Sequence, residues 1–106
     1  MTTTPTSEIL DLNGLINYQE GSIVSRVILK SHNGNVTLFA FDSGQELSEH
    51  STPYDALVEV LEGEVEIRIS GVAKELKSGQ IIIMPANEPH AVKAISQFKM
   101  LLSMVK

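Results

Sequence analysis

The chain has 106 residues and no cysteine, and 13 acidic against 8 basic residues leave it a net charge of −5. That length suits one domain able to bury about 65% of its extended surface. The missing cysteines exclude disulfide scaffolds, zinc–cysteine sites, iron–sulfur clusters and thiol catalysis. An acidic balance without a Lys/Arg cluster argues against nucleic acid. No apolar run exceeds four residues, too short to span a membrane.

Residues 1–7 are polar, Thr-rich and interrupted by Pro5, which predicts a disordered tail. They lack the basic region and apolar core of a secretory leader, so a cytoplasmic protein is expected, with one domain over 8–106. No stretch sustains helical periodicity beyond about two turns except Ser7–Ile16. From there the apolar residues recur with period two, the mark of strands. Ser22–Leu29 carries Ile23, Val24, Val27 and Ile28. Asn33-Gly34 then predicts a two-residue hairpin turn. Asn35–Phe41 sets Val36, Leu38 and Ala40 on one face and Thr37, Phe39 and Phe41 on the other. Val58–Leu61 leads into Val65, Ile67 and Ile69, which alternate with Glu64, Glu66 and Arg68. Glu59, Glu62, Glu64 and Glu66 therefore read as a solvated strand face rather than a catalytic cluster. Ile81–Ile83 and Phe98–Met104 are near-continuous apolar runs, expected to be buried on both faces or at an interface. With seven glycines as punctuation, the pattern predicts an all-β barrel or sandwich of about eight to eleven strands.

Three histidines are present. His32 adjoins the predicted turn and reads as a solvated loop residue. His50 sits in a frame running Gly44-Gln-Glu-Leu-Ser-Glu-His50-Ser-Thr52-Pro-Tyr-Asp-Ala56 and on to Gly63. His90 sits in Gly79-Gln-Ile-Ile-Ile-Met-Pro85-Ala-Asn87-Glu-Pro-His90-Ala-Val-Lys-Ala94.

These two frames resemble the paired motifs of the cupins, small double-stranded β-helix or jelly-roll barrels. Gly44, His50 and Gly63 match the first motif, and Gly79, Pro85 and His90 the second, from Gly44 to Ala94. The resemblance implies a conserved-barrel fold and, in metal-binding members, a centre of three histidines and a glutamate. Here Thr52 stands at the second histidine position and Ala56 at the glutamate. Asn87 replaces a glycine before His90, and Asn also visits left-handed backbone; Ala94 replaces the final asparagine. Only His50 and His90 remain as metal candidates, fewer than the three side-chain ligands a retained metal usually needs. Strand parity sets Glu46, Ser48, His50 and Thr52 on one face and Glu49 on the other. No cofactor is firmly implied beyond a weakly held iron, manganese, nickel or zinc ion.

The expected ligand pocket comprises His50, His90, Ser48, Thr52, Ala56, Val58, Val92, Phe39, Phe41 and Met100, an apolar space with two imidazoles and a few hydroxyls. Two functions follow. One is a binding barrel for a small, partly apolar or anionic molecule. The other is an isomerase-, dioxygenase- or decarboxylase-like enzyme using a metal or the histidines as acid–base groups. Phe98–Val105 carries apolar residues on both faces, as does Ile23–Ile28, so a homodimer joined through these segments is expected. Neither nucleic acid nor membrane is an expected partner.

Overall fold

The computed structural model describes residues 4–106; part of the predicted tail, residues 1–3, lies outside the described residues. Nine strands follow a 3-10 turn at Leu12–Leu15: β1 (Ile23–Ser31), β2 (Gly34–Phe41), β3 (Glu46–His50), β4 (Asp55–Glu62), β5 (Glu64–Ile69), β6 (Val72–Lys77), β7 (Ile81–Met84), β8 (His90–Ala94) and β9 (Phe98–Val105). They form two antiparallel sheets, ordered β1-β2-β9-β4-β7 and β3-β8-β5-β6, the all-β jelly-roll barrel that the periodicity and glycine spacing indicate. No helix among the described residues is long and apolar enough to cross a membrane. The helical periodicity of Ser7–Ile16 survives only as the four-residue turn.

Alternation decides what faces inward. Ala56, Val58 and Val60 of β4 are buried while Asp55, Leu57 and Glu59 are exposed. Val65 and Ile67 of β5 answer them from the facing sheet. At the centre Phe41 and Phe98 meet with ring centroids 4.6 Å apart, a contact worth about 1 kcal/mol beyond the area it buries. The chain passes from one sheet to the other at Gly63, where φ is +81° and an added Cβ would collide with the Gln97 carbonyl oxygen. β6 escapes the sequence pattern because it is an edge strand with one buried residue, Leu76.

Two expectations change in detail. The first hairpin turns at His32-Asn33, since Ser31 pairs with Gly34. Gly34 is required for another reason: a Cβ there would strike the Met104 carbonyl oxygen of β9. The second concerns the two-sided strands. Phe98, Met100, Leu102 and Met104 of β9 face the barrel core, as expected. On the outer side, Leu101 packs with Leu38 and Ala40 beneath the chain's own N-terminal segment, led by Ile16, Leu12 and Leu15. Val24 and Ile28 join that cluster, whereas Ile23 faces the core. The apolar outer face is thus partly covered from within the same chain.

Polar groups fasten this segment. Lys99, 7% exposed, donates from Nζ to the Asn13 carbonyl at 3.1 Å and lies over the Tyr18 ring. The Tyr18 hydroxyl donates to Glu62 at 2.5 Å. Burial first, and then the bond to Glu62 and its charge, raise the Tyr18 pKa. Of the four glutamates read as a solvated face, Glu59 and Glu64 are exposed, while Glu62 has this partner. Ile81 and Ile83 of edge strand β7 stay 60% and 62% exposed, so that apolar run is not buried on both faces within the chain.

Candidate functional site

His50 closes β3 and His90 opens β8, and the two are direct cross-strand partners. Reaching that register requires an irregularity. Leu47 pairs with Val92 and His50 with His90, with a bulge in between. The bulge resets the parity. Leu47 packs on the barrel core, Glu46 lies exposed opposite Lys93, and Ser48 is exposed. The expectation that Glu46 and Ser48 share the inward face of His50 is therefore overturned, because strict alternation stops at a bulge.

The imidazoles meet edge to face, with Nε2 atoms 3.2 Å apart and centroids 4.4 Å apart. His90 is 5% exposed, and His50 is exposed at the rim. The other ring nitrogens settle the tautomers. His50 Nδ1 lies 2.7 Å from the Ser48 carbonyl oxygen, and His90 Nδ1 lies 3.3 Å from that of Glu88. A carbonyl only accepts, so both Nδ1 atoms carry hydrogen and donate. Two neutral rings then turn Nε2 lone pairs toward each other. One proton, one donor group or one cation between them relieves that repulsion. The separation also suits two imidazoles on one tetrahedral ion, which stand about 3.3 Å apart.

Two loops frame the pair, tied together by one backbone bond and one bond to a side chain. The Asn87 amide donates to the Thr52 carbonyl at 2.7 Å, and the Ala86 amide to Asp55 Oδ1 at 2.9 Å. Asn87 adopts φ +68°, the left-handed geometry expected where the resembling family has glycine. Thr52, half-buried, accepts the Tyr54 amide on its hydroxyl oxygen at 2.9 Å. Ala56 is 1% exposed and offers no donor atom. Among the described residues no group of three or more His, Cys, Asp or Glu is placed to hold a metal ion. The donors present, two imidazoles, do not fit the four-ligand centre that the resemblance implies.

The remaining predicted pocket residues are core. Phe41, Val58, Val92 and Met100 are each at most 2% exposed in one cluster with Ala56, and Phe39 packs against it, partly buried. The barrel interior is thus filled by side chains. Sequence reasoning missed Leu47 as an inward residue, and it missed the Ser48 and Glu88 carbonyls that orient the rings. Backbone acceptors leave no trace in residue identity.

The family model described as cupin domain matches residues 37–105. Solved structures agree. A conserved protein of unknown function from Streptococcus pyogenes is 36% identical, with a TM-score of 0.91 over 100% of this chain and 96% of the other. A cupin superfamily protein from Desulfitobacterium hafniense is 28% identical, with a TM-score of 0.90 over 98% and 95%. A cupin 2 conserved barrel domain protein from Leptotrichia buccalis is 41% identical, with a TM-score of 0.89 over 92% of this chain and 47% of that one. No curated protein matches the sequence.

Burial first, and the charge of protonated His50 second, hold the His90 pKa below its ordinary 6.5, against a smaller opposing effect of the Glu88 carbonyl. The unfolded chain therefore binds a proton at mildly acid pH that folded His90 refuses, so stability rises with pH through that window. The contribution is complete above pH 6.5 and is lost as the pH falls below it. Urea denaturation at about pH 7.5 and about pH 5.5 is expected to show the lower midpoint at acid pH, with a smaller difference in His90→Gln.

Proposed function

The chain belongs to the cupin-domain family, and from that premise we propose that it is a small-molecule-binding barrel whose ligand, partly apolar or anionic, meets the protein at the His50–His90 pair. The observation that carries this reading is the convergence of two Nε2 atoms at 3.2 Å with both Nδ1 protons already committed. Such a pair is incomplete by itself. With one proton shared between the Nε2 atoms, the pair carries positive charge at the rim, which favours an anionic group. With none, the pair accepts a hydroxyl or ammonium donor. Buried His90 acts as the anchor and His50 as the residue that reaches the ligand. Filled core below the pair keeps the contact at the barrel mouth. A binding module is favoured over an enzyme because Thr52 and Ala56 supply neither metal ligand nor acid–base group. A cytoplasmic setting is part of this reading, since a cysteine-free chain needs no oxidising compartment.

A second copy of the chain completes the proposed assembly. On the outer face of the five-stranded sheet, one cross-strand row runs Leu29, Val36, Ser103, Leu57, Ile83 through successive register pairs. Leu29 is 65% and Ile83 62% exposed. The row spans the whole sheet and ends on the short edge strand β7, where a symmetric partner would cover both the apolar side chains and the open edge. This interface differs from the expected one: Leu101 now reports on the N-terminal segment that covers it.

Three outcomes are expected. In a fragment screen followed by 1H–15N correlation NMR, fragments that shift the His50 and His90 amides of the wild-type chain lose at least about tenfold in affinity in His50→Ala; the absence of such fragments, or their equal affinity for both proteins, overturns the histidine mouth. Divalent iron, manganese, nickel or zinc is expected to be stripped by dialysis against chelator, and Ala56→Glu to retain it better. Stoichiometric metal surviving in the wild type contradicts this. Light scattering at micromolar concentration is expected to report a dimer that Ile83→Asp converts to monomer, since a carboxylate buried without a partner is strongly disfavoured. A wild-type monomer would sink the interface.

A further inference from the structure

The N-terminal segment leaves a cavity of about 730 Å³ where residues 15–19 run past β1. Its walls draw on both faces of that strand, Val24 and Arg26 from the outer one, Ser25 and Val27 from the other. The space therefore lies along the strand's free edge, since β1 ends its sheet. An edge strand keeps a row of backbone N–H and C=O groups that no other strand takes. Asn17 and Gln19 contribute amides to the lining. The mixture of amide, hydroxyl and aliphatic groups is that of a small-molecule site, and the volume falls in the usual range of roughly 300–1,000 Å³.

Arg26 gives this space its chemistry. The residue points to the outer side with its cross-strand partner Leu38, the side on which Ile16, Leu38 and Ala40 cluster. One terminal nitrogen donates to the Leu15 carbonyl at 3.1 Å, and Nε is buried with no partner. The ion pair found among the described residues, Arg68 with Glu66, does not involve it. This holds in a chain with five more acidic than basic residues, where an internal carboxylate would be easy to supply. A guanidinium has five N–H donors in a rigid fork, and half-burying its charge without a counter-ion costs stability. An oxyanion is the group whose geometry that fork matches.

We propose that the cavity beside β1 is a second ligand site that takes a small organic oxyanion, a carboxylate or a phosphate ester, through Arg26. Val24 and Val27 meet the apolar part of that ligand, and Asn17 or Gln19 meets its polar substituents. The site is distinct from the histidine mouth. It belongs to the five-stranded sheet, whereas His50 and His90 lie in the other one. It also lies outside residues 37–105, the segment matched by the family model. Nothing in the proposal depends on what the histidines bind.

The test titrates the full chain with benzoate and, separately, with phenyl phosphate, and follows backbone amides by 1H–15N correlation NMR. Saturable shifts are expected at residues 15–19 and 24–27 with at least one probe, and they persist in His50→Ala whether or not the amides of His50 and His90 also move. The probe that binds more tightly identifies the preferred anion. Arg26→Gln is expected to raise the dissociation constant about tenfold or more, the loss of one or two charge-assisted hydrogen bonds. Arg26→Lys, which keeps the charge and loses the fork, should fall between the two. If Arg26→Gln fails to fold, Arg26→Lys decides. The proposal is overturned by the absence of saturable shifts at these residues with either probe. It is equally overturned by affinities that Arg26→Lys and Arg26→Gln leave unchanged.

Discussion

Strand β9 lies at the middle of its sheet with apolar side chains on both faces, and burying both of them organises the molecule. Its inner face, from Phe98 to Met104, closes the barrel against β5 and β8 of the second sheet. Its outer face can only be covered by something beyond the two sheets. Residues 12–18 do this at Leu101, Leu38 and Ala40. Because a covering segment with no strand partner has few backbone bonds of its own, side chains hold it: Lys99 on the Asn13 carbonyl, Tyr18 on Glu62, Arg26 on the Leu15 carbonyl. The cavity beside β1 is a by-product of that arrangement. Cover at the β2–β9 centre leaves a gap at the sheet's edge.

The same logic explains why the outer face is only half finished. The segment reaches β1, β2, β9 and, at Leu61 and Glu62, the end of β4. It does not reach β7, whose Ile81 and Ile83 remain exposed. An apolar row of this kind is expensive to leave in water over several residues, and that cost is the ground for the proposed second copy of the chain.

At the histidine mouth, geometry rather than residue identity makes the chemistry. Two imidazoles forty positions apart become partners because β3 and β8 pair antiparallel with one residue of slack. Each ring is then turned by a backbone carbonyl two residues before it, Ser48 for His50 and Glu88 for His90. With the Nδ1 atoms engaged, the Nε2 atoms have nowhere to point but at each other. Buried His90 resists protonation while His50 stays open to solvent, so two identical side chains sit in different surroundings.

Local pattern alone was enough for the fold class. Period-two burial in β4 and β5, with glycines between strands, reflects only the alternation of side chains in a pleated strand, which one segment can display by itself. Motif spacing likewise was enough to bring His50 and His90 together, and Asn87 to a left-handed turn. Other features depended on pairing between distant segments. The bulge that turns Leu47 inward and Glu46 outward arises from how β3 must register on β8, and neither strand shows it alone. Gly34 reads as a turn residue until β9 is laid across it. Leu101 reads as an interface residue until the N-terminal segment folds over it. Arg26 and Lys99 carry no local signal of their roles, which come from the Leu15 and Asn13 carbonyls of the covering segment. Residue order determines which face each side chain takes along its own strand; what lies opposite that face is decided by the assembled sheets, because burial is a property of two surfaces and not of one.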